Sequence, residues 1–191
     1  MTPNRDKNLL FPPFAQRLVT FESRIAVARL PFFLFMGFRT FEEQDELHAQ
    51  GRTTAGPPCM HKGILRPIGS CSQHPLGLIV TNARGGDSFH CYGFAGDYVL
   101  DGDAGKPGVQ WSWDIKADMD ADGRIDWVQM GSLAVACGLE WAGHWTNFPE
   151  FPHVQYRWGH MIKDAKTLYR EGGLPLVWQT AEQWIEETVW P

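Results

Sequence analysis

Two histidines and two carboxylates, divided between two distant segments, constrain this chain more than any other feature. Ser88-Phe89-His90-Cys91-Tyr92-Gly93-Phe94-Ala95-Gly96-Asp97 supplies an imidazole and a carboxylate, and Glu150-Phe151-Pro152-His153 supplies another of each. Two His plus one acid is a common protein contribution to a catalytic zinc, with the fourth position left open for water. A further carboxylate beside such a site can take the proton from that water. His90 and Asp97 do not align on a helix, but a bent strand pair can bring them together. For that pair alone, a satisfied core histidine and a turn cap would be the stronger reading. The second His, three residues after an acid, changes the odds.

Composition narrows the class. The 191 residues suffice for one domain, 1–191, with a real core. Hydrophobic residues at 43% and charged residues at 20% fit a soluble globular chain rather than a disordered one. A formal net charge of -5, with no basic stripe among the aromatics, argues against a nucleic-acid partner. No apolar run is long enough for membrane insertion; residues 30–38 are interrupted by Pro31 and Gly37. Residues 1–8 are polar and lack the apolar core of a secretory signal, so synthesis and initial residence in the cytoplasm are expected. Four cysteines in such a chain default to free thiols, with Cys137 a core residue. A monomer is expected.

Helical spacing over 14–29 places Phe14, Leu18, Phe21, Ile25 and Val27 or Ala28 along one side, and Pro31 closes it. A strand is predicted over 32–36. A helix over 41–50 begins with a capping box of Thr40 and Glu43 and ends at Gly51. Residues 52–78, rich in Pro and Gly, read as a long structured loop or insertion. Strands are predicted over 77–82 and over 92–100, the latter central and carrying Asp97. The segment 101–126 is acidic and Gly-rich. Asp126 is placed to cap a helix over 127–137 that stops at Gly138. A short strand over 139–141, a proline-bracketed loop over 148–152 and a helix over 161–170, stopped by Gly172-Gly173, complete the chain.

Two further clusters offer ligands. Asp118, Asp120, Asp122, Arg124 and Asp126 stand at the first, third, fifth, seventh and ninth places of a calcium loop, with Gly123 at the sixth. Gln129 at the twelfth place lacks the bidentate carboxylate, so Ca2+ stands against a solvated acidic turn. Cys59, His61, Cys71 and His74 could hold a second, structural zinc, form a Cys59–Cys71 disulfide, or stand as separate loop residues. Some cross-link is favoured, because a long Gly/Pro loop is otherwise costly to order. His48 and His160 have no neighbouring ligand pattern.

The chain resembles the L-alanyl-D-glutamate peptidases of phage endolysins, zinc peptidases related to D-alanyl-D-alanine carboxypeptidases and dipeptidases. The family pattern Ser-x-His-x-x-Gly-x-Ala-x-Asp stands here as Ser88, His90, Gly93, Ala95 and Asp97, and the acid-x-x-His pattern as Glu150 and His153. Arg39, Thr40, Glu43 and Gln44 continue into 48–52 as in the family. The segments 81–86, 138–141 and 172–175 are also similar, so the resemblance runs from about 32 to 179. Two departures stand out: Ala142-Gly143-His144-Trp145 where relatives often have Gly-Gly-Asp-Trp, and Glu150 where this subfamily often has Asp.

The resemblance implies zinc ligands His90, Asp97 and His153, with Glu150 as general base and then acid. It implies Arg39 as a catalytic group that binds a substrate carboxylate or the oxyanion, with Gln44 and Ser88 as substrate contacts. It also implies a bacteriolytic endolysin that hydrolyses the L-Ala–D-Glu bond of the peptidoglycan stem peptide by attack of a zinc-bound water. Such a protein would stay in the host cytoplasm until a partner pore released it to the cell wall. The alternatives are a D-alanyl-D-alanine carboxypeptidase or dipeptidase, and a non-catalytic peptidoglycan-binding module on the same fold. The expected fold is α+β: a small, mainly antiparallel sheet with helices packed on one face and zinc in a surface cleft.

Overall fold

A computed structural model describes residues 3–61, 64–102 and 110–189. The first helix, α1 (Pro12–Val27), starts two residues before the predicted 14–29 span. Pro12 and Pro13 fill its opening positions, where a missing N–H is no loss. Phe14, Leu18, Phe21 and Ile25 are buried as predicted, but Val27 is 83% exposed, and Ala28 is exposed too. The helix ends there, and Arg29 turns to a positive φ of 57°. The strand β1 (Phe32–Met36) matches its prediction. The helix α2 (Phe41–Ala49) carries the capping box: Glu43 N–H donates to Thr40 Oγ1 at 3.1 Å, and Thr40 N–H donates to the Glu43 carboxylate at 2.8 Å.

The insertion is more ordered than its composition suggests. It contains an antiparallel hairpin, β2 (Cys59–His61) with β3 (Ile64–Arg66). The predicted strand over 77–82 does not form, because its polar backbone finds other partners. Leu78 N–H donates to the Pro57 carbonyl at 2.7 Å. The carbonyls of Thr81 and Ala83 accept from the side chains of Arg52 and Gln44, at 2.8 and 2.9 Å.

His90 lies in a 3-10 turn, Phe89–Tyr92, ended by Gly93 at a φ of 76°. The strand β4 (Ala95–Asp101) therefore starts three residues later than the predicted 92. There follow β5 (Trp111–Ser112), α3 (Asp126–Ala136), β6 (Glu140–Trp141), β7 (His153–Gln155) and α4 (Ile162–Val189). Asp126 is not the cap expected of it. Ile125 holds that position, and the Asp126 carboxylate turns back to accept from Met119 N–H at 2.8 Å. The stop at Gly172-Gly173 is present as a break in α4, and a helical segment not predicted from the sequence continues past Pro175 to Val189.

The fold is α+β, with β4 central. Phe32 and Asp97's partner Met36 place β1 along one edge of β4. The other edge is shared, β7 pairing with Ala95 to Asp97 and β5 with Leu100 and Asp101. All of these pairings, and that of β6 with β7, are antiparallel. Side chains alternate between faces along a strand. Tyr98 and Leu100 share one face with Val154 and join the buried sides of α1 and α3 in the hydrophobic core. Asp97 and its register partner His153 point to the opposite face. The sheet thus divides the molecule into a helix-packed core and a polar site. No helix among the described residues is long and apolar enough to cross a membrane.

Candidate metal centre

Asp97 and His153 are paired across β4 and β7, so the sheet register itself sets them side by side. His90 arrives from the 3-10 turn, whose N–H at His90 is capped by Ser88 Oγ at 3.4 Å. His90 Nε2, His153 Nδ1 and Asp97 Oδ1 form a near-equilateral triangle with edges of 3.2, 3.2 and 3.1 Å. A tetrahedral zinc with bonds of about 2.0–2.1 Å requires edges of about 3.3 Å.

The protonation of these atoms makes the triangle informative. His90 Nδ1 lies 2.6 Å from the Gly37 carbonyl and must donate to it, leaving a lone pair on Nε2. His153 Nε2 lies 3.1 Å from Gln155 Oε1, which accepts its proton and leaves a lone pair on Nδ1. Two nitrogen lone pairs and a carboxylate oxygen then converge with no donor among them. A cation is the species that relieves this arrangement. Without one, a proton is the substitute. Burial would lower His153, but the Asp97 hydrogen bond and the charges of Asp97 and Glu150 raise it. Burial, with Arg39 close by, brings His90 down to about 4. Burial would raise Asp97, yet His90, Arg39 and the imidazole hydrogen bonds hold it well below the usual carboxylate range.

Glu150 sits on the rim. Its Oε2 is 4.0 Å from His153 Nδ1, the nitrogen that faces the centre. Its side chain is 27% exposed and that of Asp97 17%, so the site opens to solvent on this side. Burial raises the Glu150 carboxyl above its ordinary value. The loop carrying it is fixed at both ends: Glu150 N–H donates to the Ala142 carbonyl at 3.1 Å, and Trp141 Nε1 donates to the Phe151 carbonyl at 2.8 Å.

Arg39 is buried and reaches both Asp97 Oδ2 and Gln44 Oε1, the latter at 3.1 Å, while its Nε has no hydrogen-bond partner among the described residues. Gln44 is fully buried, and its amide donates to the Ala83 carbonyl at 2.9 Å. It supports Arg39 and the chain leading to Ser88. The sequence did not single out Gln155 or the Gly37 carbonyl, which fix the two imidazoles, or Trp145, whose ring packs 5.5 Å from that of His153. Gln155 stands two positions after His153 on β7, so the two side chains share a face. His144 is exposed and rests against Trp141.

The two secondary clusters are partly assembled. Asp118, Asp120 and Asp126 bring carboxylate oxygens within 4.8 Å of one another, and Asp122 is not in that group. Gln129, at the twelfth place, turns its amide N–H towards Asp122 at 3.3 Å. Burial raises the Asp126 carboxyl, and the charges of Asp120, Asp118 and Asp122 add to that. Cys59, Cys71 and His74 bring ligand atoms within the same 4.8 Å limit. Hydrogen bonds from Cys59 and His74 bring the Cys71 thiol down to about 6. The side chain of His61 lies outside the described residues.

The family model described as D-alanyl-D-alanine carboxypeptidase matches residues 81–156, the stretch holding His90, Asp97, Glu150 and His153. The resemblance expected from the motifs is present. The chain is 37% identical over 119 residues to CwlK of Bacillus subtilis (strain 168), a peptidoglycan L-alanyl-D-glutamate endopeptidase. That alignment covers 62% of this chain and 56% of CwlK, so the chain spans about half the length of this curated relative. A solved structure, the L-Ala D-Glu endopeptidase ChiX of Serratia marcescens, is 22% identical with a TM-score of 0.43, over 80% of this chain and 84% of that one.

Proposed function

We propose that this protein is a zinc-dependent peptidoglycan endopeptidase, acting as a monomer on the L-Ala–D-Glu bond of the stem peptide. The observation that carries the reading is the triangle of ligand atoms on His90, Asp97 and His153, with Glu150 beside it. A zinc ion held there would lower the pKa of a water to about 7 and polarise the scissile carbonyl. Glu150 takes the proton of the attacking water and delivers it to the leaving amine. Its raised pKa suits the second task, since a half-buried carboxyl gives up its charge more readily. Arg39, fixed by Gln44 and Asp97, supplies positive charge next to the developing oxyanion. Ser88, at the mouth of the same turn, contacts the substrate.

Digestion of purified peptidoglycan with wild-type protein and Glu150→Gln, followed by mass spectrometry, tests this. New N-terminal D-Glu is expected with the wild type and none with the variant, whose zinc content should be unchanged. Release of free D-Ala would move the protein to a D-alanyl-D-alanine carboxypeptidase, the reading that the description of the matching family model favours. No product with zinc still bound would leave a binding module.

A calcium ion at Asp118, Asp120 and Asp126 belongs to the same proposal. Its support is Asp126 Oδ1, which has no hydrogen-bond partner among the described residues, in a residue that is 0% exposed. A buried carboxylate oxygen without a donor is costly unless a cation meets it. Titration calorimetry with calcium chloride should show heat in the wild type and none in Asp126→Asn; no heat in either would remove calcium from the proposal.

A further inference from the structure

Residues 52–78 contribute no side chain to the hydrophobic core among the described residues, yet two of their cysteines are deeply buried. Cys59 is 2% exposed and Cys71 is 6% exposed. Pro67, Ile68, Gly69 and Ser70, close by in sequence, are exposed.

The backbone brings the two ends of the segment together. Gly56 N–H donates to the Leu76 carbonyl at 2.7 Å, and Leu78 N–H donates to that of Pro57 at the same distance. Gly77, at a φ of 87°, makes the approach possible, since a Cβ there would stand 2.5 Å from the Pro57 oxygen. Cys59 opens β2 just beyond this junction. Cys71 and His74 form a turn on the other side, with His74 N–H donating to the Cys71 carbonyl at 3.2 Å.

We propose that Cys59, Cys71 and His74 hold a zinc ion that ties together the two ends of this segment. Cys71 Sγ lies 3.7 Å from His74 Nδ1. With Zn–S of about 2.3 Å and Zn–N of about 2.0–2.1 Å, a tetrahedral site requires that edge to be about 3.6 Å. All three ligand atoms lie within 4.8 Å of one another, so the remaining edges need little adjustment. Two thiolates and an imidazole suit zinc and disfavour calcium and magnesium, which take oxygen ligands. The site is chemically distinct from the His90, Asp97 and His153 centre, which contains no sulfur. Its reach extends further along the chain. The residues after His74 run into Thr81 and Ala83, where Gln44 holds them, and Gln44 also holds Arg39.

The test is metal content and cobalt spectroscopy on the full chain, purified under reducing conditions without chelator. Wild type should carry two zinc ions, and His90→Ala should carry one. After exchange with cobalt, both should show a sulfur-to-cobalt charge-transfer band in the near ultraviolet. Cys59→Ser/Cys71→Ser should lose one zinc and the band, and become more open to protease cleavage within 52–78. His74→Cys should keep the zinc and strengthen the band. A His90→Ala protein with neither zinc nor the band would overturn the proposal. So would an intact mass showing Cys59 and Cys71 joined as a disulfide after alkylation. Because these readouts do not depend on turnover, they remain decisive if the peptidase reading fails.

Discussion

His153 shows how one residue can be aimed from two directions. Its Nε2–H donates to Gln155, two positions along the same strand, and its Nδ1 faces Asp97 across the sheet. Removing the acceptor should free the ring to turn. Gln155→Leu is expected to bind zinc about 10–100-fold more weakly while staying folded, as measured by competition with a chromogenic chelator. Unchanged affinity would mean that the sheet register alone orients the ring. The convergence of His90, Asp97 and His153, with Glu150 beside them, was legible in the sequence because metal ligation draws on those side-chain types. Gln155 was not, since a hydrogen-bond acceptor for an imidazole has no fixed residue type. The Gly37 carbonyl could not be, because a backbone group carries no signature at all. Glu150 leads to a second expectation. As the proposed base it must be ionised, so activity should fall as pH drops through its pKa, which burial raises and the charge of a bound zinc would lower. The acid limb of kcat/KM measures this; a limb that stays in place in Glu150→Asp would mean that another group sets it.

Among the elements, the contact of α3 with β6 governs the loop that carries Glu150. Trp141 lies between two glycines. A Cβ on Gly131 would stand 2.2 Å from its ring, and one on Gly143 would stand 2.1 Å from it. Gly131→Ala would gain about 1 kcal/mol of helix propensity but force the ring towards Gly143, where there is no room. Overpacking of this kind costs about 1–3 kcal/mol. The clash should win, and the melting temperature should fall; a rise would show that Trp141 has space to move. The ring also donates to the Phe151 carbonyl, so activity should fall with it. The elements read correctly from sequence were those with punctuation: β1 between Pro31 and Gly37, and α2 with its capping box. The run Leu78-Ile79-Val80 looks like a strand by composition alone. It is not one, because Arg52 and Gln44 reach its neighbourhood with side chains where a strand partner would be needed. The hairpin β2–β3 has three residues a side, too short to show a period of two.

For the molecule as a whole, the buried phenols set a limit at alkaline pH. Burial and the neighbouring Glu22 raise Tyr98 well above the usual phenol value, and burial raises Tyr92 as well. A pKa raised on folding gives stability that is fully present below the unfolded value, about 10. That stability is lost as pH rises beyond it towards the folded value. Denaturant midpoints should therefore decline above pH of about 10, and the decline should be shallower in Tyr98→Phe. Equal slopes in both proteins would remove Tyr98 as the cause. The topology was legible only as a class, because the pairing of β4 with β7 spans more than fifty residues. Local pattern does not encode such a contact. The outer support of His90 has a practical consequence. Gly37, whose carbonyl orients that imidazole, has its own N–H bound to the Asn4 carbonyl at 2.7 Å, and Asn4 Nδ2 donates to the carbonyl of Phe38. Asn4, which looks dispensable in the sequence, is thus a bracket behind the candidate metal site. A shortened protein that begins at Leu10 would keep every ligand and the whole sheet, yet hold metal more loosely. A purification tag for this protein belongs at the other end.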